Sequence, residues 1–261
     1  MKRMKKLWAV LLAVLLLAVT PCVALGADVA SGSCGANLQW KLSSAGHLTV
    51  TGSGKMTDAC VWSEYADQIK SVTLPFGLTT IGAGSFEQCR NLTSVSIPDT
   101  VTSIGIQAFS YCKGLKSVSM PKKLTHFGNK AFQYCESLET IVIPSGVSEI
   151  GAYTFMGCSN LQAVLIPTSV SRIGFNAFKT CYKMKTLFYA GTEREWANVE
   201  IEEGNECLRA DDLVIKYGAK AIDSSYKQQN QDGKSGSLLS RLLEFFRSLL
   251  ERFLALFNRA K

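Results

Sequence analysis

A repeat of apolar and small residues runs through the middle of the chain. Prolines recur at steps of 23 residues, at positions 75, 98, 121, 144 and 167, and a glycine, a phenylalanine and a cysteine keep the same step. The shared pattern is L-x-x-V-x-I-P-x-x-V-x-x-I-G-x-x-A-F-x-x-C-x-x, and a degenerate sixth copy begins at Met184. Self-similarity at a period of roughly 20 to 50 residues indicates a solenoid, in which each copy forms one coil.

The apolar spacing within one copy predicts its elements. Val95 and Ile97 alternate with serines, which is typical of a half-buried strand that ends at the following proline. A second short apolar pair follows, and Gly105 is expected to reverse the chain with a positive φ. The spacing of Ala108, Phe109 and Cys112 predicts a single helical turn that buries the phenyl ring. Stacked coils would then place the phenylalanines in one column and the strands in one parallel sheet.

These motifs closely resemble the BspA-like leucine-rich repeat family of bacterial exported and surface proteins. The resemblance covers roughly residues 34–217 and rests on the specific IP…IG…AF…C pattern. It implies a right-handed leucine-rich repeat solenoid with a parallel β-sheet, short second strands and one-turn helices. It carries over no catalytic residue and no cofactor, and some family members bind proteins or matrix.

The segments that flank the repeats resemble the family's caps. Residues 27–68 are expected to form an N-terminal β-hairpin cap from two strands at 38–42 and 47–51, with Trp62 and Tyr65 filling the first coil. The repeats and a C-terminal cap are assigned to residues 69–217. In that cap Trp196 would cover the last coil, and a final strand is predicted at 212–217.

Residues 1–26 have the pattern of a secretory signal peptide. Four cations precede an apolar run at residues 7–19, and Pro21 and small residues follow it. The predicted location is therefore secreted or at the cell surface. An uncleaved membrane anchor is disfavoured because the run is shorter than the ~20 residues needed to span a bilayer. A lipoprotein would be lipidated at Cys22, but Pro21 is a poor fit to the small residue that usually precedes such a cysteine.

The C-terminal sequence predicts a flexible polar linker at residues 218–237 and an amphipathic helix at 238–261. Three interpretations stay open for this helix: it lies on an anionic membrane surface, it self-associates, or it docks on the repeats. Its apolar face supplies the candidate membrane or partner residues Leu242, Phe246, Leu249, Phe253 and Leu256.

Net charge and cysteine spacing exclude several kinds of site. The formal charge of +7 comes from the two ends of the chain, so the body is neutral and lacks the footprint of a nucleic-acid binder. Two histidines and single cysteines at long spacing predict no metal site.

The repeat cysteines are expected to be small buried residues, while a bridge between Cys34 and Cys60 stays an alternative. No nucleophile–base arrangement stands out, so no enzyme activity is predicted.

The candidate binding site lies on the outer face of the strands. Its hydroxyl-rich positions give way to an apolar stripe in the later copies, which either contacts a partner or is covered by the cap or tail. We predict a non-catalytic exported recognition or adhesion module that binds an extracellular protein or glycan there. The alternative is a scaffold that its C-terminal helix anchors to a membrane surface or oligomerises. The candidate ligand-binding residues are Val142, Leu165 and Phe188, flanked by Thr140 and Thr186.

Overall fold

A computed structural model describes residues 27–222, and these form a solenoid of parallel strands. The chain divides into two units after Lys220, and all the elements described below belong to the first unit. The second unit lies almost entirely outside the described residues. The signal sequence, most of the linker and the amphipathic segment 238–261 also lie outside them.

Each coil contributes one strand to each of two rows. The first row contains β4 (Ser71–Thr73), β6 (Ser94–Ser96), β8 (Ser117–Ser119), β10 (Thr140–Val142), β12 (Ala163–Ile166), β14 (Thr186–Tyr189) and β16 (Val214–Lys216). The second row contains β5 (Gly77–Ile81) and five strands of two residues each, β7 (Ser103–Ile104), β9 (His126–Phe127), β11 (Glu149–Ile150), β13 (Arg172–Ile173) and β15 (Glu200–Ile201).

Parallel pairing within the rows follows the repeat of the sequence. Ser94 pairs with Ser117, Thr140 pairs with Ala163, and Ala163 in turn pairs with Thr186. Equivalent residues of successive copies are therefore neighbours. The hydrogen bonds of the first row fall into three groups along one face: β4 on the N-terminal strand β3 (His47–Lys55), β6 on β8, and β10 through β16 together. The predicted single sheet is thus a parallel row with interruptions.

The column of phenylalanines predicted from the repeat is confirmed. Neighbouring rings of Phe86, Phe109, Phe132, Phe155 and Phe178 are stacked with centroids 5.0 to 5.7 Å apart. All five side chains are fully buried. Since one coil is too small to enclose such a ring, each ring takes its apolar surroundings from the coils on either side.

The segment between the glycine and the cysteine of each copy forms turns instead of the predicted helical turn. Alternate backbone N–H groups donate to the next coil: Phe86 to Ala108, and Phe109 to Ala131, each at 2.8 Å. Those donors are therefore not available to an α-helix. Two residues in each of these turns have positive φ, including Gln107 at 56° and Tyr111 at 59°.

The repeat glycine serves a different purpose from the one predicted. Gly105 does not have a positive φ, so that expectation is wrong. A Cβ added to Gly105 would lie 2.5 Å from the backbone nitrogen of Ala83, and one on Gly128 would lie 2.3 Å from that of Ile106. Glycine is needed because successive coils approach too closely for any side chain.

The N-terminal end has three antiparallel strands. These are β1 (Asp28–Gly35), β2 (Leu38–Ser43) and β3 (His47–Lys55), and the sequence analysis missed β1. The first half of β3 pairs with β4 and its second half pairs with β5. One strand therefore begins both rows. A 3₁₀ helix at Ser63–Gln68 leads from this segment into the first coil.

The last coil contains the only α-helix among the described residues, α1 (Glu193–Trp196), and a 3₁₀ turn at Glu206–Leu208. The Thr192 side chain accepts from the Glu195 N–H, and the Glu195 carboxylate accepts from the Thr192 N–H, which makes a capping box. Trp196 is buried and its ring lies 5.1 Å from that of Tyr189.

Candidate recognition surface

The outer face of the first row changes character along the solenoid. Strand alternation turns Val95 inward and its neighbours Ser94 and Ser96 outward, and the next coil repeats this with Ser117 and Ser119. These four serines are exposed. The early coils therefore present a flat array of hydroxyl groups, which we call the hydroxyl face.

His47 lies at the N-terminal end of the hydroxyl face. Its Nδ1 is 2.7 Å from Ser71 Oγ and its Nε2 is 3.1 Å from Thr73 Oγ1, so both ring nitrogens have a hydroxyl partner. The partners follow from the parallel register of β3 and β4, in which His47 is opposite Ser71. This contact is not predictable from the repeat pattern, because the period that relates the repeats does not extend into β3.

The apolar stripe has the predicted register, but its exposure differs from residue to residue. Val142 is paired with Leu165, and Leu165 with Phe188, so the three side chains lie side by side. Val142 is 45% exposed, whereas Leu165 is 7% and Phe188 2% exposed. Of the two alternatives left open for the stripe, cover within the chain applies to Leu165 and Phe188, whereas Val142 stays accessible. Of the flanking candidates, Thr140 is half-buried and Thr186 is buried.

A cation covers part of the later stripe. The Lys216 Nζ lies 5.3 Å from the centroid of the Phe188 ring, and β16 places it there by pairing with β14. Such a contact stabilises the ammonium group over the electron-rich ring face. The C-terminal end of the first row thus contributes to the burial of Phe188.

An open groove lies where the exposed and buried parts of the outer face meet. Its volume is about 690 Å³. Its lining is mostly apolar and includes two lysines and, from the final described segment, Ala219 and Lys220. The lining includes Val118, Met120, Val142, Pro144, Leu165, Pro167, Lys122 and Lys220. The groove brings together Val142 and Leu165 of the predicted residues, while Phe188, Thr140 and Thr186 are not among those that line it.

The repeat cysteines form a buried column beside the phenylalanines. After the first of them, Cys89, each thiol donates to the phenylalanine carbonyl of the preceding coil, as Cys112 does to Phe86 at 3.1 Å and Cys135 to Phe109 at 3.2 Å. Burial raises the pKa of both thiols, which keeps them protonated and poorly nucleophilic. The expectation of small buried cysteines in the repeats is confirmed.

No cluster of three or more potential metal ligands occurs within residues 27–222, and none of the helices in this range is long and apolar enough to cross a membrane. All eight cysteines of the same range are free thiols, so the structure has no bridge between Cys34 and Cys60. The candidate residues of the amphipathic segment, Leu242 to Leu256, lie outside the described residues.

Comparison with known proteins supports the repeat assignment. A family model described as the BspA type leucine rich repeat region matches residues 63–187 with six copies. No curated protein matches the chain. The family match covers residues 63–187 and excludes the three N-terminal strands, β1 to β3, and the closing segment after residue 187.

Solved structures share the fold. A leucine-rich repeat protein from Eubacterium ventriosum is 28% identical with a TM-score of 0.55 and covers 64% of this chain. The match covers only 45% of that protein's own length. A leucine-rich repeat protein of T. pallidum is 20% identical with a TM-score of 0.50, covering 77% of this chain and 95% of that one. The second likeness concerns the fold alone.

Proposed function

Because the repeat region of this chain belongs to the BspA-type leucine-rich repeat family, we propose that the protein is a non-catalytic, exported recognition and adhesion module. It binds an extracellular protein through the groove on the outer face of the first row. The observation that carries this proposal is the position of the groove, between the exposed hydroxyl face and the buried apolar coils. An apolar concavity beside polar groups is the usual composition of a binding site.

The lining of the groove favours a protein partner over a glycan. Val118, Val142 and Leu165 are aliphatic and would pack against an apolar side chain of the partner. Hydroxyl groups of the neighbouring coils would supply hydrogen bonds at the rim. Lys220 would attract an acidic residue of the partner, which steers association, whereas the ammonium group of Lys122 already lies 3.6 Å from the carboxylate of Asp99.

Export is supported by the first 26 residues, whose cationic, apolar and small-residue zones are typical of a secretory signal. The protein would then act in the secreted form or at the cell surface. In solenoids, residues on the open face vary without disturbing the stacked interior, so this face is suited to recognition.

The role of the groove in binding is tested by replacing its exposed apolar residue Val142 with a charged one. Residues 27–261, as wild type and as Val142→Lys, are applied to panels of purified extracellular matrix proteins and of immobilised glycans. Thr102→Lys is the matched control, since it adds the same charge at an exposed position outside the groove lining. We expect Val142→Lys to weaken binding to a protein of the panel about tenfold or more, with the control unchanged.

Two results would contradict this proposal. Equal binding by Val142→Lys and wild type would place recognition elsewhere on the protein. If the wild type binds only glycans, and Val142→Lys loses that binding, the groove is the binding site but its partner is a glycan and not a protein.

The amphipathic pattern of residues 238–261 favours a second candidate function, a scaffold anchored or oligomerised by this segment. Deleting 238–261 separates the two. In one outcome the shortened chain no longer sediments with phosphatidylglycerol vesicles, or light scattering shows a smaller oligomer, while it still binds the panel protein. Either result would assign anchoring or self-association to the tail and recognition to the repeats. Loss of all binding on deletion would favour the scaffold.

A further inference from the structure

One member of the cysteine column differs from the others. Cys112, Cys135, Cys158, Cys181 and Cys207 each donate to the carbonyl of the phenylalanine in the preceding coil, at 3.1 to 3.3 Å. Cys89 begins the column, and Cys60 of the N-terminal segment lies near it, because Cys60 lines a small cavity together with Glu87 and Gln88, the two residues before Cys89. The column therefore starts beside a second cysteine, which a neighbouring segment supplies.

The N-terminal segment brings Cys60 to this place. Trp62 occupies the aromatic column ahead of Phe86, with ring centroids 5.1 Å apart. Cys60 precedes Trp62 by two residues, and its carbonyl accepts from the Ser63 N–H at 3.0 Å where the 3₁₀ helix begins. Packing of the tilted Trp62 ring against Phe86 thus holds Cys60 near Cys89, which follows Phe86 in the first coil.

The two thiols differ in access and acidity. Cys89 is fully buried, whereas Cys60 is partly exposed and lines a small cavity of about 200 Å³ with Ser63, Asp67 and Glu87. The hydrogen bond from Cys89 lowers the pKa of Cys60, although burial opposes this shift. Cys60 is therefore the thiol that an oxidant reaches and the one that deprotonates more easily.

We propose that Cys60 and Cys89 form a disulfide bond when the folded protein meets a disulfide oxidant. The Cys60 thiolate attacks the oxidant disulfide, which gives a mixed disulfide and releases one thiol of the oxidant. The Cys89 sulfur then attacks the sulfur of Cys60, and the second oxidant thiol leaves. Two protein thiols are oxidised to one disulfide, and one oxidant disulfide is reduced to two thiols.

This bond would join the N-terminal strands to the first coil. In the proposed exported location the oxidising environment would supply the reaction, and only that setting rests on the proposed function. The chemistry itself depends on the folded chain. Recognition through the groove and formation of the bond therefore fail or succeed independently.

The test uses the reduced full chain, residues 27–261, exposed to oxidised glutathione without denaturant. Non-reducing peptide mapping should show loss of two thiols and one cross-linked peptide pair containing Cys60 and Cys89. Closing this loop should raise the melting temperature by roughly 5 °C or more. Cys60→Ser should abolish both effects, and Cys34→Ser is the matched control that should retain them.

Three outcomes would overturn the proposal. The first is full retention of thiols in the folded protein, or their loss only in urea. The second is a cross-link from Cys60 to Cys34. The third is a glutathione adduct that persists on Cys60, since Cys89 would then not reach its sulfur. Cys60→Ser replaces a partly exposed residue, so its folding is checked by circular dichroism before the oxidation is compared.

Discussion

The early and late coils use the same backbone positions in opposite ways. In the early coils the two outward residues of each first-row strand are exposed serines, such as Ser117 and Ser119. In the late coils the equivalent positions are buried, as at Leu165 and Phe188. The inward position changes less, since Val95 is 3% and Val164 0% exposed and Val118 between them is half-buried. The interior of the repeat is therefore more uniform than the outer face, where the coils become different.

This difference predicts unequal contributions to stability. Burying a large apolar side chain stabilises by about 1.5–3 kcal/mol, whereas an exposed serine contributes little. The late coils should therefore depend on their outer face for stability, and the early coils should leave theirs available for contact with other molecules.

The largest expected effect comes from truncating the buried outer face. Phe188→Ala should lower the free energy of unfolding by about 3–5 kcal/mol, since it removes a buried ring together with the Lys216 contact. Ser119→Ala at the equivalent position of an early coil should change it by less than about 0.5 kcal/mol. Urea unfolding of both variants measures this. Similar values for the two would remove the distinction between early and late coils.

Substitution in the shared interior should affect both regions. A Cβ on Gly128 would lie 2.3 Å, and one on Gly174 2.9 Å, from the backbone of the preceding coil. Alanine at either position should cost about 1–3 kcal/mol because the coils must separate. Thr102→Ala, at an exposed position, serves as the control for the same urea measurement. A loss confined to one variant would show that spacing between coils is not uniform along the solenoid.

The smallest expected effect concerns acid sensitivity in the last coil. Hydrogen bonds from the backbone and hydroxyl of Thr192 lower the pKa of Glu195, and Lys185 lowers that of Asp212. A carboxyl whose pKa is lowered on folding stabilises the folded state at pH values above its unfolded pKa of about 4. This stabilisation is lost as the pH falls through the folded pKa. Glu195→Gln should therefore destabilise at neutral pH but approach wild type in acid.

Melting curves from neutral pH to about pH 3 measure this convergence, with Glu193→Gln as the control for removing a charge from the same short helix. A constant difference between Glu195→Gln and wild type at all pH values would contradict the assignment to the capping box.

The features predicted correctly are those that the period specifies. Identical residues at one step must stack when coils repeat, so the column from Phe86 to Phe178 and the register from Val142 to Phe188 could be predicted from the sequence. The hairpin residues 38–42 and 47–51 lie within β2 and β3 of the structure. Apolar alternation was sufficient there, because each strand has one buried face.

The features missed depend on contacts between coils. Helical spacing of Ala108, Phe109 and Cys112 is equally compatible with turns, and the turn geometry prevails because alternate N–H groups bond to the next coil. A glycine required for close approach and one required for positive φ look alike in a sequence. β1 was missed because Gly32, Gly35 and three small polar residues weaken its strand pattern.

The sequence by itself determined the coil, its two strands and the residues of its interior, because a side chain repeated at one step meets its own copies when the coils stack. Only the tertiary structure decided which outer residues face solvent, where the groove opens and which segment brings Cys60 close to the first coil. Those properties depend on what packs against a position from outside its own coil, and a linear pattern contains no such distance.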